Sequence, residues 1–327
     1  MRDEAVAHAA RVLRNGGLVA VPTETVYGLA ADARNEAAIR RIFEVKGRPA
    51  RHPLIVHIAS AASLEGWARD VPPIAWDLAR RFWPGPLTLV LRRAADVSPL
   101  ITGGQDTVAV RVPRHPVTLD LLEAFDGGIA APSANPFGAV SPTRADDVRE
   151  MFAASGGVDY VLDGGDCTVG VESTILDLSG PRPALLRPGG ITREALESLT
   201  GCELGGERPD APRVPGQHPR HYSPRAKVTL SQPADLAASV EAALARGLTV
   251  GVIAPQGIVL KADARMLAVT APSALEEYAH RLYRWFRDFD NARCDLIFAT
   301  LPDERGLGSA IADRLRRAAA EEVQPQS

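Results

Sequence analysis

Lysine is nearly missing from this chain: only Lys46, Lys227 and Lys261 occur among 37 basic residues, the rest being arginine. Against 40 acidic residues the formal net charge is −3, so the chain offers no global attraction to nucleic acid, which normally binds a basic face. Any RNA contact is expected to be local or indirect, and no stable nucleic-acid binding is expected. Cysteine is as scarce. Cys167, Cys202 and Cys294 stand far apart without a C-x-x-C pair, which argues against a zinc ribbon or a disulfide framework and for structural thiols. No apolar run approaches the roughly 18 residues a membrane helix needs, and Asp3 and Glu4 interrupt any basic leader, so a cytoplasmic location without membrane association is expected. The chain also has no G-x-x-x-x-G-K-[ST] loop, no G-x-S-x-G elbow and no Cys-His signature. ATP, if used, must be held by other means, and no protein nucleophile is expected.

What is present suits a folded globular protein, with 46% hydrophobic and 24% charged residues, and 327 residues exceed what one core usually supports. Val6, Ala9, Ala10 and Leu13 predict an amphipathic helix that ends at Asn15-Gly16-Gly17 and leads into a strand over Leu18 to Val21. Asn35 is placed to cap a second helix bearing Ile39, Ile42 and Phe43. Further strands are expected at Leu54 to Ile58, Leu87 to Leu91, Val108 to Val112, Ile129 to Pro132 and Thr174 to Leu178. Helices are expected over residues 73–82, 116–125, 143–152 and 192–199. Strands and helices interleave without strict alternation, which predicts an α/β fold with a mixed, twisted N-terminal sheet.

Between Gly201 and Arg225 five prolines break any helix, which reads as a linker. Beyond it, strands at Val228 to Leu230, Leu248 to Ala254 and Leu296 to Thr300 alternate with helices near 233–245, 272–289 and 308–320, predicting a small Rossmann-like parallel sheet. The expected domains are therefore 1–200, a linker or lid over 201–225, and 226–327.

Several segments carry chemistry-bearing residues. Pro22-Thr23-Glu24-Thr25-Val26-Tyr27-Gly28-Leu29 follows a buried strand, where α/β sheets place ligands, although such hydroxyls also bond their own backbone in turns. Lys46, Arg48, Arg51 and His52 lie around the stiffening Pro49 and Pro53, with His57 on the next strand. Crowded cations repel unless a polyanion visits, so this cluster reads as a phosphate cradle, the alternative being complementation of a helix dipole. The two histidines lack a third ligand at metal-site spacing, and no protein-held metal is expected. Arg111 interrupts the apolar strand from Thr107 to Pro113, and a buried charge there needs a partner, either an internal carboxylate or that of a substrate. Ala131-Pro132-Ser133-Ala134-Asn135 and Ser141-Pro142-Thr143 supply small and hydroxyl-bearing groups after a strand, equally consistent with a tight loop capped by Thr143.

Taken in order, Pro-Thr-Glu-Thr-Val-Tyr-Gly-Leu, Lys46-Gly47-Arg48-Pro49, Phe82-Trp83-Pro84-Gly85-Pro86-Leu87-Thr88, Arg111-Val112-Pro113, Pro132-Ser133-Ala134-Asn135, Val171-Glu172-Ser173-Thr174 and Leu186-Arg187-Pro188-Gly189 resemble the YrdC-like family of threonylcarbamoyl-AMP synthases. The linker and Gly306-Leu307-Gly308-Ser309-Ala310-Ile311 resemble that family's longer, two-domain form. The resemblance implies a nucleotidyltransferase that condenses L-threonine, bicarbonate or CO2, and ATP with Mg2+, for passage of the product to a tRNA threonylcarbamoyl transferase. It implies L-threonine at Thr25, His57, Arg111, Ser173 and the backbone of Ala131. It implies ATP at Lys46, Arg48, His52, Thr107, Ser133, Ser141, Arg187 and, from the linker, Tyr222, with Lys46 and Arg48 acting on the reacting phosphate. Two other readings compete: a double-stranded RNA-binding protein using the same cationic cavity, and a carbamoyl-phosphate-dependent carbamoyltransferase.

Overall fold

The computed structural model describes residues 2–206, 211–217 and 221–320. Its chain divides into two compact units, one holding 1–137 and 141–217, the other 138–140 and 218–327. The linker expected over 201–225 is thus shared between them, and its residues 207–210 and 218–220 lie outside the described residues.

The first unit is built on a mixed sheet, as its uneven alternation implies. Its strands are β1 (Val19–Val21), β2 (Gly28–Asp32), β3 (Ile55–His57), β4 (Ala68–Arg69), β5 (Leu87–Arg93), β6 (Thr107–Arg111), β7 (Ile129–Ala130), β8 (Tyr160–Val161), β9 (Thr174–Asp177) and β10 (Ala184–Arg187). They run in the order β10-β9-β5-β6-β3-β7-β2-β1-β8, with β4 on β5. β3 is parallel to β6, while β7 runs antiparallel to both β3 and β2. One face of the sheet, carrying Val56, Leu89, Val108 and Val110, packs with Ile39, Ile42 and Leu78 in the main core.

The opposite face is covered in two pieces. Val6, Leu13, Leu121 and Leu122 pack on Val19, Ala30 and Ala131 at one side. Val214, with Ala211 beside it, packs on Ile55, Val90 and Ala109 at the other. The seam falls between β3 and β7, where Ile55 belongs to one cover and Ala131 to the other. His57 and Arg111 are register partners at the ends of β3 and β6, and period-two alternation aims both to this face.

Several elements differ from the sequence reading, among them the short strands β4, β8 and β10, which no local pattern announced. Gly28–Asp32 is a strand although Gly-Leu-Ala-Ala-Asp has little β-propensity, because antiparallel pairing to β1 and β7 decides its conformation. The helix expected over 143–152 begins at Ala145 and not at Thr143, and Thr143 is no cap: the Asp147 carboxylate accepts the N–H groups of both Thr143 and Arg144. The second unit has a fourth strand.

That second unit contains β11 (Lys227–Leu230), β12 (Val250–Ala254), β13 (Met266–Thr270) and β14 (Leu296–Ala299), all parallel, in the order β11-β14-β12-β13. The edge strand β13 is the addition. It pairs with β12 alone and is largely exposed, so no half-buried alternation announces it. The helix Leu275–Asn291 covers the sheet with Leu282, Tyr283, Phe286 and Phe289 buried. Among the described residues no helix is long and apolar enough to cross a membrane.

Candidate active site

The helix Glu36–Lys46 delivers the first cations. Asn35 caps its start through Oδ1 to the Ala38 N–H at 3.1 Å, and Gly47 closes it at φ +60°, a left-handed conformation that favours glycine. The Arg48 N–H then bonds the Phe43 carbonyl at 2.9 Å. This end geometry turns Lys46 and Arg48 inward, leaving them 3% and 6% exposed. Lys46 Nζ donates to the carbonyls of Ser133, at 2.6 Å, and Asn135. Arg48 donates to the Pro53 carbonyl and lies over the Phe137 ring, which His52 meets edge-on. Burial pushes the Lys46 ammonium well below the usual lysine range, and the Arg48 charge beside it pushes the same way. An incoming polyanion would reverse both effects.

A second cluster surrounds Arg111. Its Nη2 stands 2.7 Å from Glu24 Oε2, with both side chains almost fully buried. Its Nη1 donates to Thr25 Oγ1 at 3.1 Å and its Nε to the Gly85 carbonyl at 3.2 Å. Of the two partners open to Arg111 in the sequence, the structure supplies the internal one, Glu24, a residue the sequence reading gave no role. The polar loop also bonds itself as its threonines suggested: Thr23 Oγ1 accepts from the N–H groups of Thr25 and Val26.

His57 neighbours Arg111 in register. Burial, aided by the Arg111 charge, pushes its imidazole down to about 3. At neutral pH it is an uncharged hydrogen-bonding group, which makes it suited to positioning and a poor general base. The unfolded histidine titrates near 6.5 and the folded one far lower, so the unfolded chain binds the extra proton as pH falls. Stability present above about pH 6.5 is therefore lost below it, by up to about 1.4 kcal/mol per pH unit. Between pH 7 and 5, His57→Gln is expected to flatten this slope in urea unfolding, leaving the smaller share of His115, which burial also pushes down. An unchanged slope would show that His57 is protonated in the folded protein.

A third cluster joins the ends of β9 and β10. Arg187, 2% exposed, donates from Nη2 to the Ser173 carbonyl at 2.8 Å and from Nη1 to the Pro215 carbonyl at 2.9 Å. Ser173 Oγ bonds Thr88 Oγ1 at 2.8 Å, and Ser141 Oγ donates to Glu172 Oε1 at 2.7 Å. A Cβ on Gly189 would come 2.4 Å from the backbone of residues 172–174, so only glycine lets the two segments pack this closely.

The sequence-derived residues therefore meet in three groups: Thr25 with His57 and Arg111, Ser133 with Lys46, and Ser173 with Arg187. Ala131, whose N–H bonds the Ile55 carbonyl at 3.1 Å, lies at the seam beside them. Thr107 stands apart, four residues and about 13 Å along β6 from Arg111. Tyr222 groups with the second unit, at φ +61°, stacked on Tyr283 and lying under the guanidinium of Arg314. Besides Glu24, Thr88 and Glu172 were not assigned from sequence. The only signal for them was that they sit inside polar segments already singled out.

Comparison with known proteins adds identity to this geometry. The model of the telomere recombination family, which takes in Sua5, YciO and YrdC, matches residues 11–189, and that of the threonylcarbamoyl-AMP synthase C-terminal domain matches residues 191–320. The chain belongs to the Sua5, YciO and YrdC family, in its two-domain form. Among Sua5 relatives, the threonylcarbamoyl-AMP synthase of Pyrococcus abyssi is 45% identical over 95% of this chain and 92% of its own length. That of Bacillus subtilis is 40% identical, covering 98% and 94%. A solved structure of Pyrococcus abyssi Sua5 complexed with L-threonine superposes with a TM-score of 0.89, at 43% identity over 97% of this chain and 94% of that one.

Proposed function

We propose that this protein is an L-threonylcarbamoyl-AMP synthase. The observation that carries the reading is the burial in one unit of three cations, Lys46, Arg48 and Arg187, together with Arg111 held against Glu24, each cation at most 6% exposed. Burying so much like charge is costly unless anionic ligands complete the site. An amino-acid carboxylate beside a nucleotide triphosphate supplies that completion. The family, its synthase relatives and the threonine-bound Sua5 structure support the same reading. Burial also counts against the double-stranded RNA alternative, which needs these cations on a surface.

L-threonine sits with its carboxylate on Arg111, positioned by Thr25, His57, Ser173 and the Ala131 backbone. ATP, with Mg2+ to neutralise phosphate charge, would lie along Lys46, Arg48, His52, Thr107, Ser133, Ser141 and Arg187. The threonine ammonium and bicarbonate give a carbamate, water and a proton. A carbamate oxygen then bonds the α-phosphorus while the α–β bridging P–O bond breaks, so that pyrophosphate leaves with that electron pair. Lys46 and Arg48 offset the charge developing on the phosphates, and the protein's share is positioning and charge neutralisation. The product passes to a tRNA threonylcarbamoyl transferase.

Incubation with ATP, Mg2+, bicarbonate and L-threonine is expected to release pyrophosphate only when threonine is present. Release independent of threonine, or turnover that needs carbamoyl phosphate, would overturn the assignment.

A further inference from the structure

Glu24 is the one acidic residue of the Pro22 to Leu29 loop and is 1% exposed. Its backbone is clamped, the carbonyl accepting the Val169 N–H at 2.7 Å while Thr23 ties the next two N–H groups. Its carboxylate is thereby held 2.7 Å from Arg111. Yet neither Glu24 oxygen, nor Nη2 of Arg111, makes an aligned hydrogen bond. The 2.7 Å ion pair thus stands without aligned hydrogen bonds to offset the burial of its charges, and such a pair costs free energy that a well-packed apolar pair would not. The groups around the pair are uncharged. His57 neighbours Arg111 and is held neutral; His115, close enough to feel Glu24, is pushed toward neutrality by burial; the Cys167 thiol, which also feels Glu24, is kept protonated by burial; Thr25 and the Gly85 carbonyl bond Arg111. Glu172, also buried, already accepts from Ser141.

A buried cation beside a buried anion is the complement of a zwitterion. We propose that Glu24 is the receptor for the substrate's α-ammonium group, a specificity determinant that acts while Arg111 holds the carboxylate. The inference rests on the function proposed above. Binding exchanges one internal ion pair for two to the ligand, so no charge is stranded before or after. Carboxylation replaces the ammonium by an anionic carbamate, which Glu24 repels. The same side chain thus selects the amino acid and disfavours retention of the carbamate beside it.

The test compares calorimetric dissociation constants of the full chain, near neutral pH, for L-threonine and for the 2,3-dihydroxybutanoate of matching configuration, in which a hydroxyl replaces the ammonium. Wild type is expected to prefer threonine by about 30-fold or more. Glu24→Gln, which keeps the shape and removes the charge, is expected to bring the two ligands within about threefold of each other, by weakening threonine and leaving the analogue unchanged. Equal binding of both ligands by the wild type overturns the proposal. So does a Glu24→Gln variant that weakens both alike, which would make Glu24 a strut for Arg111. Should that variant fail to fold, the wild-type ratio decides alone. Pyrophosphate release that ignores threonine would sink the assigned activity instead, so the two failures are distinct.

Discussion

Lys46→Met is expected to slow threonine-dependent pyrophosphate release by about 10² to 10³-fold, the loss typical when one preorganised donor to a developing oxyanion is removed. The same substitution is expected to change stability little. Lys46 holds the Ser133 and Asn135 carbonyls, and losing such bonds ordinarily costs about 1–3 kcal/mol. Set against that cost, removing the lysine ends its repulsion with Arg48 and its own desolvation, the two effects that depress its pKa. A residue that contributes little to folding but much to turnover is the expected signature of a ligand-binding charge. Thermal unfolding and the pyrophosphate assay on one preparation check both halves. Turnover within about threefold of wild type would remove Lys46 from the chemistry, whatever the melting temperature did.

Arg111→Ala is expected to behave in the opposite way, losing stability as well as threonine affinity. It strands the Glu24 carboxylate, 1% exposed, in the interior, and breaking one half of a buried pair costs about 3–5 kcal/mol. For a unit of this size that lowers the melting temperature by about 10 °C. Replacing both partners by leucine is expected to recover most of the lost stability, because no charge then remains buried, while threonine binding stays absent. A fall under about 2 °C for Arg111→Ala would mean that water reaches Glu24 and that the pair is not truly buried.

The contrast between these two cations shows how far the sequence could be read. Both were visible as charges in improbable places: Lys46 at a helix end near other cations, Arg111 within an apolar strand. The sequence left each with two explanations. Arg111 had an internal or an external carboxylate, and folding places Glu24 against it from a loop 87 residues earlier. That proximity follows from β1, β2, β7, β3 and β6 lying in order across one sheet, which no local pattern encodes.

Local signals determined the elements whose stability is local. Helix Glu36–Lys46 follows from the Asn35 cap, the spacing of Ile39, Ile42 and Phe43, and Gly47, all interactions within one or two turns. Strands rich in β-branched residues, such as Ile55–His57 and Thr107–Arg111, were legible for the same reason. Tertiary structure alone decided β2, whose Gly-Leu-Ala-Ala-Asp becomes a strand by pairing on both edges, and β13, which is fixed by β12. It also decided the seam between two apolar covers at which His57, Arg111 and Ala131 meet. Helix caps and periodicity are energies of neighbours in sequence. Strand pairing, buried ion pairs and ligand seams are energies of neighbours in space, and only the closed sheet makes those residues neighbours.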